Sequence, residues 1–127
     1  MKNPQILFLE DTESRVDIFK RNTGLDVWCV KRQEDFERAI NSQTWDYICL
    51  DHDLYGMDYD GYRAALYIAE NRLLIGDGCK VIVHSSNPHG VTKIMGALAA
   101  AFHVQPCAIP EMWNNVSWNG QNLVFTV

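Results

Sequence analysis

The chain has 127 residues, of which 47% are hydrophobic and 21% are charged, proportions that are typical of one globular domain. Its formal net charge of −5 argues against an extensive nucleic-acid-binding surface, which requires many basic residues. No apolar run has the length of a signal peptide or a membrane span, so we expect neither. The four cysteines are widely spaced and predict neither a zinc site nor a redox pair, which favours a reduced, cytoplasmic protein.

Strand and helix patterns alternate along the chain. The predicted strands lie at about 5–9, 27–30, 47–50, 80–83 and 104–109. The predicted helices lie at about 14–21, 33–41, 61–74 and 90–102. Gly24 follows the first helix at the position where glycine commonly ends one. After the fifth strand the pattern is weaker, with a helix remnant at 110–115 and a final strand at 123–127.

This alternation predicts an α/β fold with three layers, α–β–α, around a parallel sheet. The flavodoxin-like strand order 2-1-3-4-5 is expected because crossovers between parallel strands are right-handed. Residues 1–127 are predicted to form one domain, with 110–127 as a divergent C-terminal extension that adds an extra strand. Trp113 and Trp118 in this extension suit either a binding lid or a hydrophobic seal. We favour a seal that covers an edge strand of the sheet.

Three of the predicted strands run directly into polar residues. Those residues are Glu10 and Asp11 after the first strand, Asp51, His52 and Asp53 after the third, and His84, Ser85 and Asn87 after the fourth. The first, third and fourth strands are neighbours in the expected order. Because ligands bind beyond the carboxyl ends of parallel strands, the sequence predicts one site built from all three exits.

The acidic residues of this predicted site point to a bound cation. Glu10, Asp11, Asp51 and Asp53 would repel one another strongly at one sheet edge unless a metal ion lay among them. Oxygen ligands favour Mg²⁺ or Mn²⁺, and an added imidazole favours Mn²⁺ or another transition metal. The alternative for Glu10 is that it only begins the first helix or pairs with a lysine.

The histidines and the turn after the fourth strand add acid–base and anion-binding chemistry. His52 and His84 suit proton transfer near neutral pH, and they are equally suited to binding a metal or to packing within loops. Ser85 and Asn87 precede a predicted helix. They therefore suit a phosphate cradle, although such residues are also ordinary helix caps.

Several of these stretches resemble two-component receiver domains. The resemblance lies in the pair Glu10-Asp11, in the stretch Trp45–Asp51 that ends in the phosphoacceptor position, and in the loop Asp58–Gly61. Counted from the strand, Asp51 is at the phosphoacceptor position; counted from the downstream glycine, Asp53 is. Receivers also carry a lysine after the fifth strand, whereas the only lysine after Lys80 is Lys93, inside a predicted helix.

A closer resemblance is to the cyclic-phosphate-processing receiver-like domains. The stretches Leu50–Leu54 and Val83–Gly90 are similar to the motifs of that family, which lacks the lysine and adds histidines after strands three and four. The resemblance implies a metal-assisted phosphoesterase that acts on a small phosphorylated ligand, either a cyclic nucleotide or a cyclic phosphate end. Two alternatives stay open: a non-catalytic module that sequesters a cyclic nucleotide, and a degenerate receiver used in signalling or protein interaction.

Overall fold

The computed structural model describes residues 3–10, 12–50, 61–71, 78–84, 88–99, 104–109, 113 and 115–125. The strands are β1 (Ile6–Leu9), β2 (Trp28–Val30), β3 (Tyr47–Leu50), β4 (Cys79–His84), β5 (Val104–Ile109), β6 (Val116–Trp118) and β7 (Leu123–Phe125). The helices are α1 (Glu13–Thr23), α2 (Gln33–Ser42), α3 (Gly61–Glu70) and α4 (Pro88–Leu98).

The main sheet is parallel and has the order β2-β1-β3-β4-β5. The predicted arrangement 2-1-3-4 is therefore confirmed, and β5 lies beside β4. The central strands are in register, because Leu9 pairs with Leu50 and Leu50 pairs with Val83. The predicted final strand, β7, does not extend this sheet. It pairs with β6 in a separate antiparallel hairpin that the sequence analysis did not predict.

Two hydrophobic clusters cover the two faces of the sheet and give the predicted three layers. Because side chains alternate along a strand, Leu7 and Leu9 of β1 face one cluster while Ile6 and Phe8 face the other. The first cluster contains buried residues of α2, α3 and α4, among them Phe36, Ile40, Ala64, Ile68, Ile94 and Leu98. The second contains buried residues of α1 and the C-terminal extension, namely Val16, Phe19, Trp113, Val116 and Leu123.

Local sequence explains most element boundaries. Helix α1 ends at Gly24, whose left-handed φ of 71° allows its N–H to donate to the Lys20 carbonyl at 2.8 Å. Helix α4 begins at Pro88 and not near Gly90, because proline at a first helical position has no N–H that would need a partner. Helix α3 ends at Glu70 and is followed by a turn residue, Asn71. The rest of its predicted span, residues 72–74, lies outside the described residues.

Three of the cysteines, Cys29, Cys49 and Cys79, carry free thiols. Burial raises the pKa of Cys49, and burial with the nearby Asp46 carboxylate raises the pKa of Cys79 to about 12. These two thiols are thus neutral and pack as small apolar groups. Within the described ranges, no helix has both the length and the apolar character needed to cross a membrane.

Candidate functional site

Two candidate site residues meet at the carboxyl edge, which is the end of the sheet where β1, β3 and β4 finish. Glu10 directly follows β1, and His84 is the last residue of β4, so the two lie on either side of the end of β3. The His84 Nδ1 atom is 3.7 Å from the Glu10 Oε1 atom. Both side chains are completely buried. The predicted convergence of the first and fourth strand exits is thus present in the structure.

Glu10 is held in place by the start of α1. The backbone N–H of Thr12 donates to Glu10 Oε2 at 3.3 Å, and Arg15 Nη1 lies 3.6 Å from the same oxygen. The backbone N–H of Glu10 donates to the Val30 carbonyl at 3.0 Å, which fixes the residue against β2. Among the described residues, the cationic partner of Glu10 is therefore an arginine, whereas the alternative prediction from the sequence was a lysine.

His84 lies in aromatic surroundings. Its ring is 4.8 Å from the Trp113 ring and 5.6 Å from the Phe8 ring, measured between centroids. Among the described residues, neither ring nitrogen of His84 has a hydrogen-bond partner. Burial, helped by the charge of Arg15, lowers the pKa of His84 from 6.5 to about 3. Although Glu10 is near enough to favour an imidazolium ion, desolvation outweighs it, and the ring is neutral at physiological pH.

Trp113 covers His84 from the side of the C-terminal extension. Its side chain is 1% exposed and makes edge-on contacts with Phe8 and Phe19. Its carbonyl accepts a hydrogen bond of 2.7 Å from the Asn22 side chain, which ties the extension to α1. Trp113 therefore acts as a seal. However, it covers the interior strands β1 and β4 and not an edge strand, which is a correction to the sequence interpretation.

The remaining predicted site residues lie outside the described residues: Asp11, Asp51, His52, Asp53, Ser85 and Asn87. Their assignments stay predictions. In the part of the chain that the structure describes, no three acidic, histidine or cysteine side chains form a group that could hold a metal ion. Glu10 nevertheless supplies the kind of donor that Mg²⁺ and Mn²⁺ prefer, a carboxylate oxygen, so this residue fits the predicted ligand set.

Lys93 does not replace the receiver lysine. As predicted, it lies inside a helix, α4. Its Nζ atom is 4.8 Å from the centre of the Tyr62 ring on α3, an interaction between a cation and an aromatic face.

A cavity of about 630 Å³ lies at the amino edge, the opposite end of the sheet, where β3 and β4 begin. Its polar lining is hydrogen-bonded within the chain. The Lys80 Nζ atom donates to Asn122 Oδ1 at 2.9 Å, and Asp46 Oδ2 accepts the Gln5 backbone N–H at 2.7 Å. A second cavity of about 630 Å³ lies beside β2 and α2, where Trp28, Lys31 and Arg38 line it. Size therefore does not identify the site, and the predicted chemistry lies at the carboxyl edge.

The chain matches the family model of the cyclic-phosphate processing receiver domain over residues 5–100, which are 96 of its 127 residues. It belongs to this family. The matched span includes β1 to β4 and therefore both Glu10 and His84. None of the curated proteins matches the chain.

Among the solved structures similar to this cyclic-phosphate processing receiver domain are two receiver domains and a response regulator. The BeF₃-activated receiver domain of DrrB has 20% identity and a TM-score of 0.62, over 87% of this chain and 86% of that one. The response regulator DrrB of Thermotoga maritima has 17% identity and a TM-score of 0.60, over 95% of this chain and 59% of that one. A third structure is the receiver domain of the sensor histidine kinase PA1611 of Pseudomonas aeruginosa, with a magnesium ion coordinated in its active-site cleft. It has 21% identity and a TM-score of 0.57, over 84% of this chain and 85% of that one. At these identities the likeness shows the fold.

Proposed function

We propose that the protein is a metal-assisted phosphoesterase that hydrolyses a cyclic phosphate or cyclic nucleotide at the carboxyl edge. The observation that carries the proposal is the pairing of His84 with Glu10 across the end of β3, at 3.7 Å. A buried imidazole whose nitrogens have no described hydrogen-bond partner is costly to the fold, and such groups are retained where a ligand or a reaction uses them. Membership of the cyclic-phosphate processing family supports the choice of substrate class.

The reaction needs two proton transfers. A water oxygen forms a bond to phosphorus while one ring P–O bond breaks, and the product is a phosphomonoester with a free hydroxyl group. The attacking water loses a proton to a base, and the departing alkoxide oxygen gains a proton from an acid. We assign these transfers to His84 and His52. The neutral ring of His84 can only accept a proton, so it is the proposed base, and His52 is the proposed acid.

The acidic residues would hold the cation, and the turn before α4 would hold the phosphate. Asp11, Asp51 and Asp53 are the proposed metal ligands together with Glu10. A bound Mg²⁺ or Mn²⁺ would supply a more acidic water and neutralise phosphate charge. The magnesium ion in the active-site cleft of the PA1611 receiver supports this assignment. Ser85 and Asn87 are the proposed phosphate contacts.

Phosphorus NMR of the protein incubated with cyclic nucleotides of both ring sizes, with Mg²⁺ or Mn²⁺, tests the proposal. We expect a phosphomonoester signal from the wild type and from Arg21→Gln, a control at the far end of α1. His84→Leu and Asp51→Asn should abolish that signal. Failure of every substrate to react with either metal would contradict the proposed reaction.

The complete burial of His84 favours a second candidate, a module that binds and sequesters a cyclic nucleotide without cleaving it. A ring without solvent exposure can shape a binding site without touching the reacting atoms. This candidate predicts that a cyclic nucleotide raises the melting temperature while the ligand is recovered intact. It also predicts that His52→Ala weakens binding and changes nothing else.

A further inference from the structure

The proposed site needs positive charge for a phosphate, and His84 does not provide it in its neutral form. The chain carries a net charge of −5, and four acidic residues belong to the proposed site. In the described part of the chain, Arg15 is the arginine or lysine that forms an ion pair with a residue of this site. Its Nη1 atom is 3.6 Å from Glu10 Oε2.

We propose that Arg15 binds the phosphate group of the ligand, in addition to its contact with Glu10. This inference rests on the proposed function, because it requires a phosphorylated ligand at the carboxyl edge. His84, Glu10 and Arg15 form a continuous chain of contacts, at 3.7 Å and 3.6 Å. The first two side chains are completely buried, whereas that of Arg15 is 22% exposed. Of these three groups, Arg15 is therefore the one that reaches from the buried pair to solvent.

The guanidinium group suits this double contact. It is planar, keeps its charge at all physiological pH values and presents five N–H donors, so one arginine can hold a carboxylate and a phosphate together. Its position in the first turn of α1 places it beside the end of β1, where the backbone N–H of Thr12 also points at Glu10. Arg15 would thus supply the positive charge that receivers take from their lysine.

Lys31, another cation near the start of α1, is less suitable. It follows β2, and its Nζ atom lies 3.7 Å from Glu13 Oε1, with the two side chains 55% and 84% exposed. Such a pair is strongly screened by water. The described contacts link Arg15, and not Lys31, to the buried pair.

The alternative role of Arg15 is to hold the Glu10 carboxylate in position and nothing more. The two roles predict opposite effects on metal binding when Arg15 is replaced by glutamine. A cation beside a metal site repels the metal, so its removal should strengthen Mn²⁺ binding if the carboxylates keep their positions. If Arg15 only holds Glu10 in place, its removal disturbs a metal ligand and weakens Mn²⁺ binding.

Calorimetric titrations of Arg15→Gln, Arg15→Lys and Arg21→Gln against the wild type test the proposal. Arg21 lies in the last turn of α1, so Arg21→Gln makes the same change of net charge away from the site. Mn²⁺ is titrated alone, and inorganic phosphate is titrated with and without Mn²⁺.

For Arg15→Gln we expect Mn²⁺ to bind about threefold more tightly and phosphate to bind at least about tenfold more weakly. Arg15→Lys keeps the charge but loses the planar fork, so phosphate alone should bind more weakly. Arg21→Gln should match the wild type.

Two outcomes would overturn the role of Arg15. One is that Arg15→Gln weakens Mn²⁺ and phosphate together. The other is that phosphate binding is unchanged in Arg15→Gln and Arg15→Lys, or undetectable in the wild type. Thermal unfolding of each variant identifies any that fail to fold. If Arg15→Gln does not fold, the comparison of Arg15→Lys with the wild type is used instead.

Neither titration needs turnover, and phosphate is also measured without metal. A protein that binds phosphate through Arg15 but cleaves no cyclic phosphate would therefore refute the phosphoesterase and leave the phosphate contact standing.

Discussion

Polar side chains are hydrogen-bonded within the chain at the amino edge of the sheet, whereas at the carboxyl edge the buried His84 is not hydrogen-bonded to any described residue. The same strands and the same face of the sheet form both edges. At the amino edge, Lys80 donates to Asn122 at 2.9 Å, and the Tyr47 hydroxyl accepts the Leu123 N–H at 3.0 Å. Four residues further along β4, the nitrogens of His84 have no hydrogen-bond partner among the described residues. A satisfied polar group is explained by the fold that it stabilises. A buried group without a partner costs stability and points to function.

The comparison also separates shape from chemistry. One cavity of about 630 Å³ is at the amino edge, where the polar groups named above hydrogen-bond to one another. The carboxyl edge carries Glu10 and His84, the described residues of the proposed phosphate site. For this fold the hydrogen bonding of the buried residues is the better guide to the site.

The largest expected effect comes from removing the cover of the carboxyl edge. Trp113→Ala should lower the free energy of unfolding by about 3–5 kcal/mol, because a fully buried indole that contacts Phe8, Phe19 and His84 is replaced by a cavity. Urea unfolding measures the loss. Trp28→Ala is the matched control, since Trp28 is 49% exposed, and it should cost about 1 kcal/mol or less. Equal losses for the two substitutions would show that Trp113 has no special place in the core.

The next largest effect is a loss of folding stability at acid pH. Folded His84 takes up a proton only near pH 3, whereas the unfolded imidazole does so near 6.5. Between these values the unfolded state binds more protons, so stability is full above about pH 6.5 and falls as the pH is lowered. The wild type should lose about 1.4 kcal/mol per pH unit relative to His84→Leu. Parallel profiles for the two proteins would rule out a neutral, buried His84.

The smallest effects have opposite signs at the two edges. Tyr47→Phe removes the acceptor of the buried Leu123 N–H and should lower the free energy of unfolding by about 1–3 kcal/mol. At pH 7, His84→Leu replaces a buried polar ring with an apolar side chain and should raise it by about 1 kcal/mol. Chemical denaturation of both variants provides the measurement. A loss in both would mean that His84 is structural like Tyr47.

Much of the fold could be predicted because the central strands are continuous apolar runs. Tyr47–Leu50 is a strand at its predicted bounds, and every residue in it is buried. The hairpin was missed at β6, since Val116–Trp118 is three residues long with an exposed serine at its centre and has no recognisable period. Such a strand depends on its partner β7 and on packing against α1, and neither can be read from local sequence.

The candidate site could be predicted in its location but not in its environment. Glu10 and His84 were identified because polar residues follow two apolar strands, and parallel strands bring those exits to one edge. The complete burial of His84 depends on Trp113, which is distant in sequence and folds back over β4. The Arg15 contact likewise depends on how α1 lies on the sheet. Both are consequences of tertiary packing.

The division of the core between the two faces also bears on how the protein is made. Among the described side chains, the cluster that contains α2, α3 and α4 includes none beyond Leu98, whereas the cluster around Phe8 and Phe19 includes Trp113 and Leu123. A ribosome therefore releases most of the chain before the face that carries Glu10 and His84 can close. Until then Phe8 and Phe19 are exposed apolar residues on the nascent chain, open to chaperones and to aggregation. The candidate site is therefore covered only after Trp113 has been synthesised and packs against Phe8, Phe19 and His84.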